Sequence, residues 1–411
     1  MRPIVTATLC LALYFAAGIP AAATTVVAPA PPAAAGAGAP PAGGAAAAAL
    51  DAQAHDAATL AAAGKFKEAI AKLEVLRRNP ACPPRALSLL GALYVKVKRP
   101  QDALAVLKPM ADAPDAQPAV LYNAGMAAGL LNQLTVAQNY FSRAVVQQKD
   151  SPATRELGLL LARQGKVVEG YSLLRPWSLR NPADGEARLT AAALALQLER
   201  PADAEQLIEG MDPNDPAIHL VRGKILVQKG DGKGAVTLLA PLMAHHPAGM
   251  EPEVRRTLAE AYVLAGQPAP AVDLLKGRVA NHPTVALVLA RAQHKAGDLL
   301  GAMVTLRPFA DQLPADAKGL GDPRPAAAIA VEYGRLLVDA GRSPEAIAVL
   351  EKATRILPQS PEPWVTLSQA YGAAGRRADS QTAAARAETL AKSAQGAAPQ
   401  PQPAQPKPPG R

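Results

Sequence analysis

A glycine-rich stretch around Lys233 is the segment of this sequence that comes nearest to a phosphate-binding loop. It runs from Gly230 to Ala235 and places one lysine among three glycines. A phosphate loop needs a longer glycine spacing, a Ser or Thr directly after the lysine, and a preceding strand. Gly234 follows the lysine and no strand pattern precedes it. We therefore interpret the stretch as a turn between two helices.

The sequence carries none of the local signatures of hydrolytic or metal-dependent catalysis. It contains no His-Glu-x-x-His, no Gly-x-Ser-x-Gly and no Cys-x-x-Cys pattern. Its two cysteines are Cys10 and Cys82, and Cys82 has no histidine or cysteine close by in the sequence. We therefore expect no catalytic residues, no metal site and no cofactor, and we interpret the chain as a non-enzymatic protein.

Small residues recur along the chain at a nearly constant stride. Successive gaps are 34, 34, 33, 34, 31, 36, 31, 44 and 34 residues. Small side chains let two helices approach closely where they cross, while large residues one turn away fill the remaining space. The series predicts about ten packed helix pairs and comprises Ala69, Ala103, Ala137, Gly170, Ala204, Ala235, Ala271, Ala302, Ala346 and Ser380.

The stretch from Gly341 to Gly375 shows one complete period. The two glycines lie 34 residues apart, and Trp364, Tyr371 and Pro358 fall at the remaining characteristic positions. This pattern resembles the tetratricopeptide repeat, a helix–turn–helix unit of about 34 residues. The resemblance implies an all-α fold, a right-handed α-solenoid of about ten helix–turn–helix repeats with disordered termini.

Composition agrees with close helix packing. Hydrophobic residues make up 49% of the 411 residues but aromatic residues only 3%, which disfavours a β-rich core. The formal net charge is +9, a balance that permits anionic partners without identifying them. We expect no nucleic-acid partner.

The termini differ in composition from the repeats. Arg2, the apolar run from Ile4 to Ile19 and small residues up to Ala23 are typical of a secretory signal peptide. We expect cleavage near Ala23, no transmembrane segment afterwards and a periplasmic or secreted protein, with a retained leader as the alternative. The predicted segments are a signal peptide (1–23), an Ala/Pro-rich flexible linker (24–49), about eight repeats (50–316), an inserted loop (317–326), two repeats (327–394) and a disordered Pro/Gln-rich tail (395–411).

Four prolines recur inside the second helix of alternate repeats, at gaps of 67, 65 and 67 residues. They are Pro109, Pro176, Pro241 and Pro308. A proline inside a helix removes a backbone hydrogen bond and costs about 3 kcal/mol in a regular helix. We expect a kink or an early helix end at each of them.

In tetratricopeptide-repeat proteins the first helix of each unit lines the concave face. Carried onto this register, the inward positions hold more bases than acids, the acids being Glu156, Glu253, Glu260, Glu332 and Glu362. The hypothesis is a groove of net positive charge that binds carboxylates, because the planar guanidinium pairs with them bidentately. The alternative is a set of solvated surface charges. The candidate ligand-binding residues are Arg85, Lys96, Arg155, Arg163, Lys224, Arg256, Arg291, Lys295 and Arg335.

These observations favour a scaffold that binds a protein or peptide partner, which the positive groove suggests is acidic. The resemblance to exported repeat proteins implies a role in cell-envelope assembly or exopolysaccharide export. Direct binding of an anionic polysaccharide or of peptidoglycan is the second hypothesis.

Overall fold

The computed structural model describes residues 44–243, 249–279, 282–320 and 322–396. Within those residues the chain forms 20 α-helices, one short 3₁₀ helix and no strand. The helices fall into two compact units, one ending at Met211 and the other beginning at Asp212. We call them the N-terminal and the C-terminal unit and describe each by itself.

Each unit contains five helix hairpins. The N-terminal hairpins are α1 (Gly44–Ala62) with α2 (Phe66–Leu76), α3 (Pro84–Lys96) with α4 (Pro100–Ala111), α5 (Pro118–Leu130) with α6 (Leu134–Gln147), α7 (Pro152–Arg163) with α8 (Val167–Arg180), and α9 (Gly185–Gln197) with α10 (Pro201–Ile208). The C-terminal hairpins are α11 (Pro216–Gln228) with α12 (Gly232–Leu239), α13 (Glu251–Leu264) with α14 (Pro268–Leu275), α15 (Pro283–Lys295) with α16 (Leu299–Ala310), α17 (Arg324–Asp339) with α18 (Ser343–Ile356), and α19 (Pro361–Ala373) with α20 (Arg377–Gly396).

The turn inside every hairpin contains one residue in the left-handed conformation. Seven hairpins use a glycine there, for example Gly341 with φ 72°. The other three use Lys98, Asn132 and Glu199, with φ between 57° and 58°. A left-handed residue ends a helix because it lets the following N–H groups bond back to the last carbonyls. Gly341 and Gly375, the two glycines that lie 34 residues apart in the sequence, are both turn residues of this kind.

The recurring small residues lie in the second helices, as predicted. Ala69, Ala103, Ala137 and five further alanines of the series are 0% exposed. Close packing extends to the first helices, where a Cβ atom added to Gly91 would lie 2.3 Å from Cγ of Leu107. Such a distance is far below van der Waals contact, so the two helices approach this closely only because Gly91 has no side chain.

Several predicted boundaries differ from the structure. Helix α1 begins at Gly44, so the last six residues of the predicted linker (24–49) are helical, because alanine runs have the highest helix propensity. Helix α17 begins at Arg324, inside the predicted loop (317–326), and the non-helical connection to α16 starts already at Asp311. Helix α20 continues to Gly396, two residues into the predicted tail (395–411). The predicted signal peptide (1–23) and the rest of the linker and tail lie outside the described residues.

The four periodic prolines lie close to helix ends. Helix α12 stops at Leu239, and Pro241 starts a 3₁₀ turn. Helices α4 and α16 end two residues after Pro109 and Pro308, whereas α8 continues for four residues after Pro176. The early helix end is therefore observed most clearly at Pro241.

No helix in the described part of the chain is both long enough and apolar enough to cross a bilayer.

Candidate ligand-binding face

Successive first helices contact one another within each unit. In the C-terminal unit α11, α13, α15, α17 and α19 form an unbroken series of such contacts, and in the N-terminal unit α1 contacts α3, α3 contacts α5 and α7 contacts α9. Among the described second helices, α8 and α10 make a comparable contact, but most such pairs do not. The first helices are therefore more crowded than the second helices. We call the surface that they form the first-helix face of each unit.

At the N-terminal end of this face, Arg85 is already paired. Its Nη2 atom lies 2.6 Å from Oδ1 of Asp51 on α1, so the pair joins two consecutive first helices. Lys96 is partly exposed and Arg163 is exposed, and each of them has an interaction partner of its own.

Arg155 holds three carboxylates. Its Nε is 2.7 Å from Asp184, its Nη1 is 2.7 Å from Glu156 and its Nη2 is 2.5 Å from Glu186. The indole Nε1 of Trp177 also donates to Asp184, at 2.9 Å. The guanidinium of Arg155 thus links α7 to the start of α9, and its side chain is only 16% exposed.

The single guanidinium of Arg155 cannot neutralise all three carboxylates around it. Burial of Glu156 raises its pKa, and the attraction of Arg155 lowers it by less. Burial would also raise the pKa of Asp184, but the hydrogen bonds from Arg155, Trp177 and the Ala187 backbone hold that pKa below its usual value. Glu156 is therefore the carboxylate that the cluster stabilises least in its ionised form.

In the C-terminal unit, Lys224 on α11 reaches across to α13. Its Nζ lies 2.5 Å from Oε1 of Glu253, which also accepts from Nη2 of Arg256 at 2.8 Å. Nη1 of Arg256 donates to Glu260 at 3.1 Å. Burial would raise the pKa of Glu253, but Arg256 and Lys224 together hold it well below its usual range.

Arg291 and Arg335 share one buried carboxylate. Nε of Arg291 on α15 lies 3.1 Å from Oε2 of Glu332, and Nη1 of Arg335 lies 3.0 Å from the same oxygen. The side chain of Glu332 is only 3% exposed, while those of the two arginines are 36% and 40% exposed. Nη2 of Arg335 also lies 3.8 Å from Glu362 on α19. The last predicted base of this region, Lys295, is exposed.

At least six of the nine predicted bases therefore hold a carboxylate of the same chain, and five of these six link neighbouring first helices. The two members of each link lie 27 to 41 residues apart in sequence, which is about one repeat. Sequence reasoning identified most of the acids but not their pairing with these bases. Among the described residues, no group of His, Cys, Asp and Glu is arranged to hold a metal ion. That the nine residues bind a ligand stays a prediction.

Two adjacent residues of the first helix α5 are buried. Tyr122 is 6% exposed and Asn123 is 2% exposed. Tyr122 belongs to a core cluster that extends from α4 to α7, so neither side chain is on the open surface of the unit. Sequence reasoning also missed a cavity between α13, α14 and α15, which is described below. No local motif indicates that cavity, because its lining comes from three helices and from the connection between α14 and α15.

Helix hairpins at this stride, with small residues where the helices cross, make the chain an all-helical repeat protein that resembles tetratricopeptide-repeat solenoids. No family model and no curated protein matches the sequence. One solved structure of similar fold is the human IFIT1 dimer with PPP-AAAA, with 16% identity and a TM-score of 0.45 over 82% of this chain and 89% of that chain. The APC/C heterotetramer Cut9–Hcn1 has 12% identity and a TM-score of 0.43 over 84% of this chain and 81% of that chain. MamA from AMB-1 has 21% identity and a TM-score of 0.32 over 43% of this chain and 98% of that chain.

Proposed function

We propose that this chain is an exported, non-enzymatic scaffold whose first-helix face binds a protein or peptide partner that carries acidic side chains. The observation that carries the proposal is the pair of arginines on Glu332. Arg291 and Arg335 come from different helices, yet one buried carboxylate holds both at the surface. An arrangement of this kind fixes two guanidiniums in advance of binding, which reduces the entropy lost when a partner docks.

The two arginines keep hydrogen-bond donors for a partner. A guanidinium has five N–H donors, and Arg291 uses only its Nε on Glu332. Its Nη groups donate to no other group in the described part of the chain. Glu332 and the exposed Glu362, 3.8 Å from Arg335, balance the two arginines formally, so the carboxylate of a partner would compete with Glu362 for Arg335. A carboxylate is the group that accepts such paired N–H donors most directly.

Export is supported by sequence alone. The pattern of residues 1–23 is typical of a signal peptide, and a chain with one cysteine after the leader suits an oxidising compartment. A periplasmic scaffold in cell-envelope assembly or exopolysaccharide export agrees with both features. The experiment below distinguishes a protein partner from an anionic glycan.

The test is a pull-down from an envelope extract with the full chain as bait, before and after enzymatic removal of glycans. The variants are Lys295→Gln, which removes an exposed charge, and the double variant Arg291→Gln/Arg335→Gln. The matched control is Arg342→Gln/Arg376→Gln, since both arginines are exposed and pair with an acid three residues later.

We expect a protein partner to be retained after glycan removal, weakened by Lys295→Gln, lost with the first double variant and unchanged with the control. Capture that disappears on glycan removal would replace this proposal with polysaccharide binding. Capture that survives the Arg291/Arg335 double variant would remove the first-helix face as the binding surface.

A further inference from the structure

A cavity of about 210 Å³ lies in the C-terminal unit, between the start of α13, the end of α14 and the start of α15. Its polar lining consists of Glu251, Arg255, Arg278 and His282, and apolar side chains such as Leu275 close the rest of the wall. None of these residues belongs to the nine predicted bases. The cavity is therefore a feature separate from the proposed docking face.

The charges around the cavity do not cancel. Nη2 of Arg255 forms an ion pair with Oε1 of Glu251, and Nη1 of Arg278 lies 4.0 Å from the same oxygen. Two guanidiniums thus face one carboxylate, and the lining carries a formal charge of +1 when His282 is neutral.

Burial strengthens the electrostatic field of this excess charge. The side chain of Arg255 is only 16% exposed, so water screens its charge poorly. Burial lowers the pKa of Arg255, and the nearby charge of Arg278 lowers it further. The two guanidiniums therefore repel each other despite the carboxylate between them. Arg278 also lines the cavity but is 56% exposed, so its guanidinium contacts solvent as well.

We propose that this cavity binds a small tetrahedral oxyanion of the phosphate and sulfate class. A dianion would relieve the repulsion between the two arginines and accept hydrogen bonds from both. Since one water occupies about 30 Å³ of liquid, the cavity has room for an ion of this size with part of its hydration shell, or for a small phosphate ester. Arginine is well suited to such ligands because its N–H groups form a rigid fork.

The test is isothermal titration of the full chain with sodium sulfate at constant ionic strength, adjusted with sodium chloride. We expect Arg278→Gln to weaken binding about tenfold, the effect of losing one charge-assisted hydrogen bond. Glu251→Gln should tighten binding several-fold, since it removes the competing carboxylate. The matched control is Arg307→Gln, an exposed arginine of α16 that pairs with Asp311 just after that helix, and it should change nothing.

Circular dichroism of each variant confirms that it is folded. Phosphate should bind about as tightly as sulfate, and acetate should bind more weakly because it is a planar monoanion. The proposal is overturned if sulfate does not bind, if Arg278→Gln binds it as the parent does, or if Glu251→Gln fails to tighten binding. An equal loss in Arg307→Gln would show a general charge effect and would also overturn it.

Discussion

Replacement of Glu332 by glutamine should loosen the contact between α15 and α17. Glu332 is almost fully buried and accepts a hydrogen bond from each of Arg291 and Arg335. Glutamine keeps the shape but turns both charge-assisted bonds into weaker bonds to a neutral acceptor. Removing one partner of a buried ion pair costs about 3–5 kcal/mol when the remaining charge stays buried.

Here the cost is smaller, because both arginines are more than one-third exposed and regain water. Two charge-assisted bonds reduced to neutral ones amount to about 2 kcal/mol. Repeat proteins open locally, so the loss should appear in the α15 and α17 hairpins and not as one global transition. A loss of 2 kcal/mol corresponds to about 30-fold faster amide hydrogen exchange there.

The assay is hydrogen exchange measured peptide by peptide at neutral pH. The control is Glu345→Gln on α18, which removes a carboxylate that pairs with Arg342 at 2.6 Å but is 57% exposed. Exposed ion pairs contribute little, so exchange in the control should not change measurably. Unchanged exchange of α15 and α17 in Glu332→Gln, or an equal acceleration in the control, would refute the reasoning.

Two further sets of variants test the packing and the electrostatics. Gly91→Ala should lower the free energy of unfolding, measured by urea denaturation, by about 1–2 kcal/mol, because the overlap with Leu107 outweighs the gain in helix propensity. Gly129→Ala should raise that free energy slightly, because the space around its Cβ is open. Glu253→Gln should lower the free energy of unfolding at pH 7, because a carboxylate with a depressed pKa stabilises the folded state. That stability is lost on acidification, so variant and parent should have the same free energy of unfolding once the pH falls below the low folded-state pKa of Glu253. Glu156→Gln should be at least as stable as the parent at pH 7 and lose that advantage below about pH 4, because a raised folded-state pKa has the opposite sign. Unfolding curves between pH 3 and 8 that show the same sign for both glutamates would contradict the assigned environments.

The helix hairpins could be predicted from the sequence because each depends on residues close together in the chain. A buried alanine such as Ala103 and a turn glycine such as Gly64 act within one repeat, so their spacing defines the register. The turns at Lys98 and Asn132 show the limit of that signal. Both residues adopt the left-handed conformation although neither is a glycine.

The charge pairing could not be predicted, because it joins side chains from different hairpins. Whether Arg155 meets Asp184 depends on the rotation of two helices about their axes, which the repeat spacing does not determine. The cavity at Arg255 and Arg278 likewise forms only where three helices meet. Composition also misled the assignment of residues 44–49 to the linker, because an uncharged alanine run is typical both of a tether and of a helix.

Site-specific photocrosslinking is the most direct test of the first-helix face as the docking surface. A photoreactive residue is placed at Lys295 on α15 in one variant and at Val304 on α16 of the same hairpin in another, since both positions are exposed. We predict protein adducts from position 295 that persist after glycan removal, and none above background from position 304. Adducts that form at position 304 but not at position 295 would contradict the account.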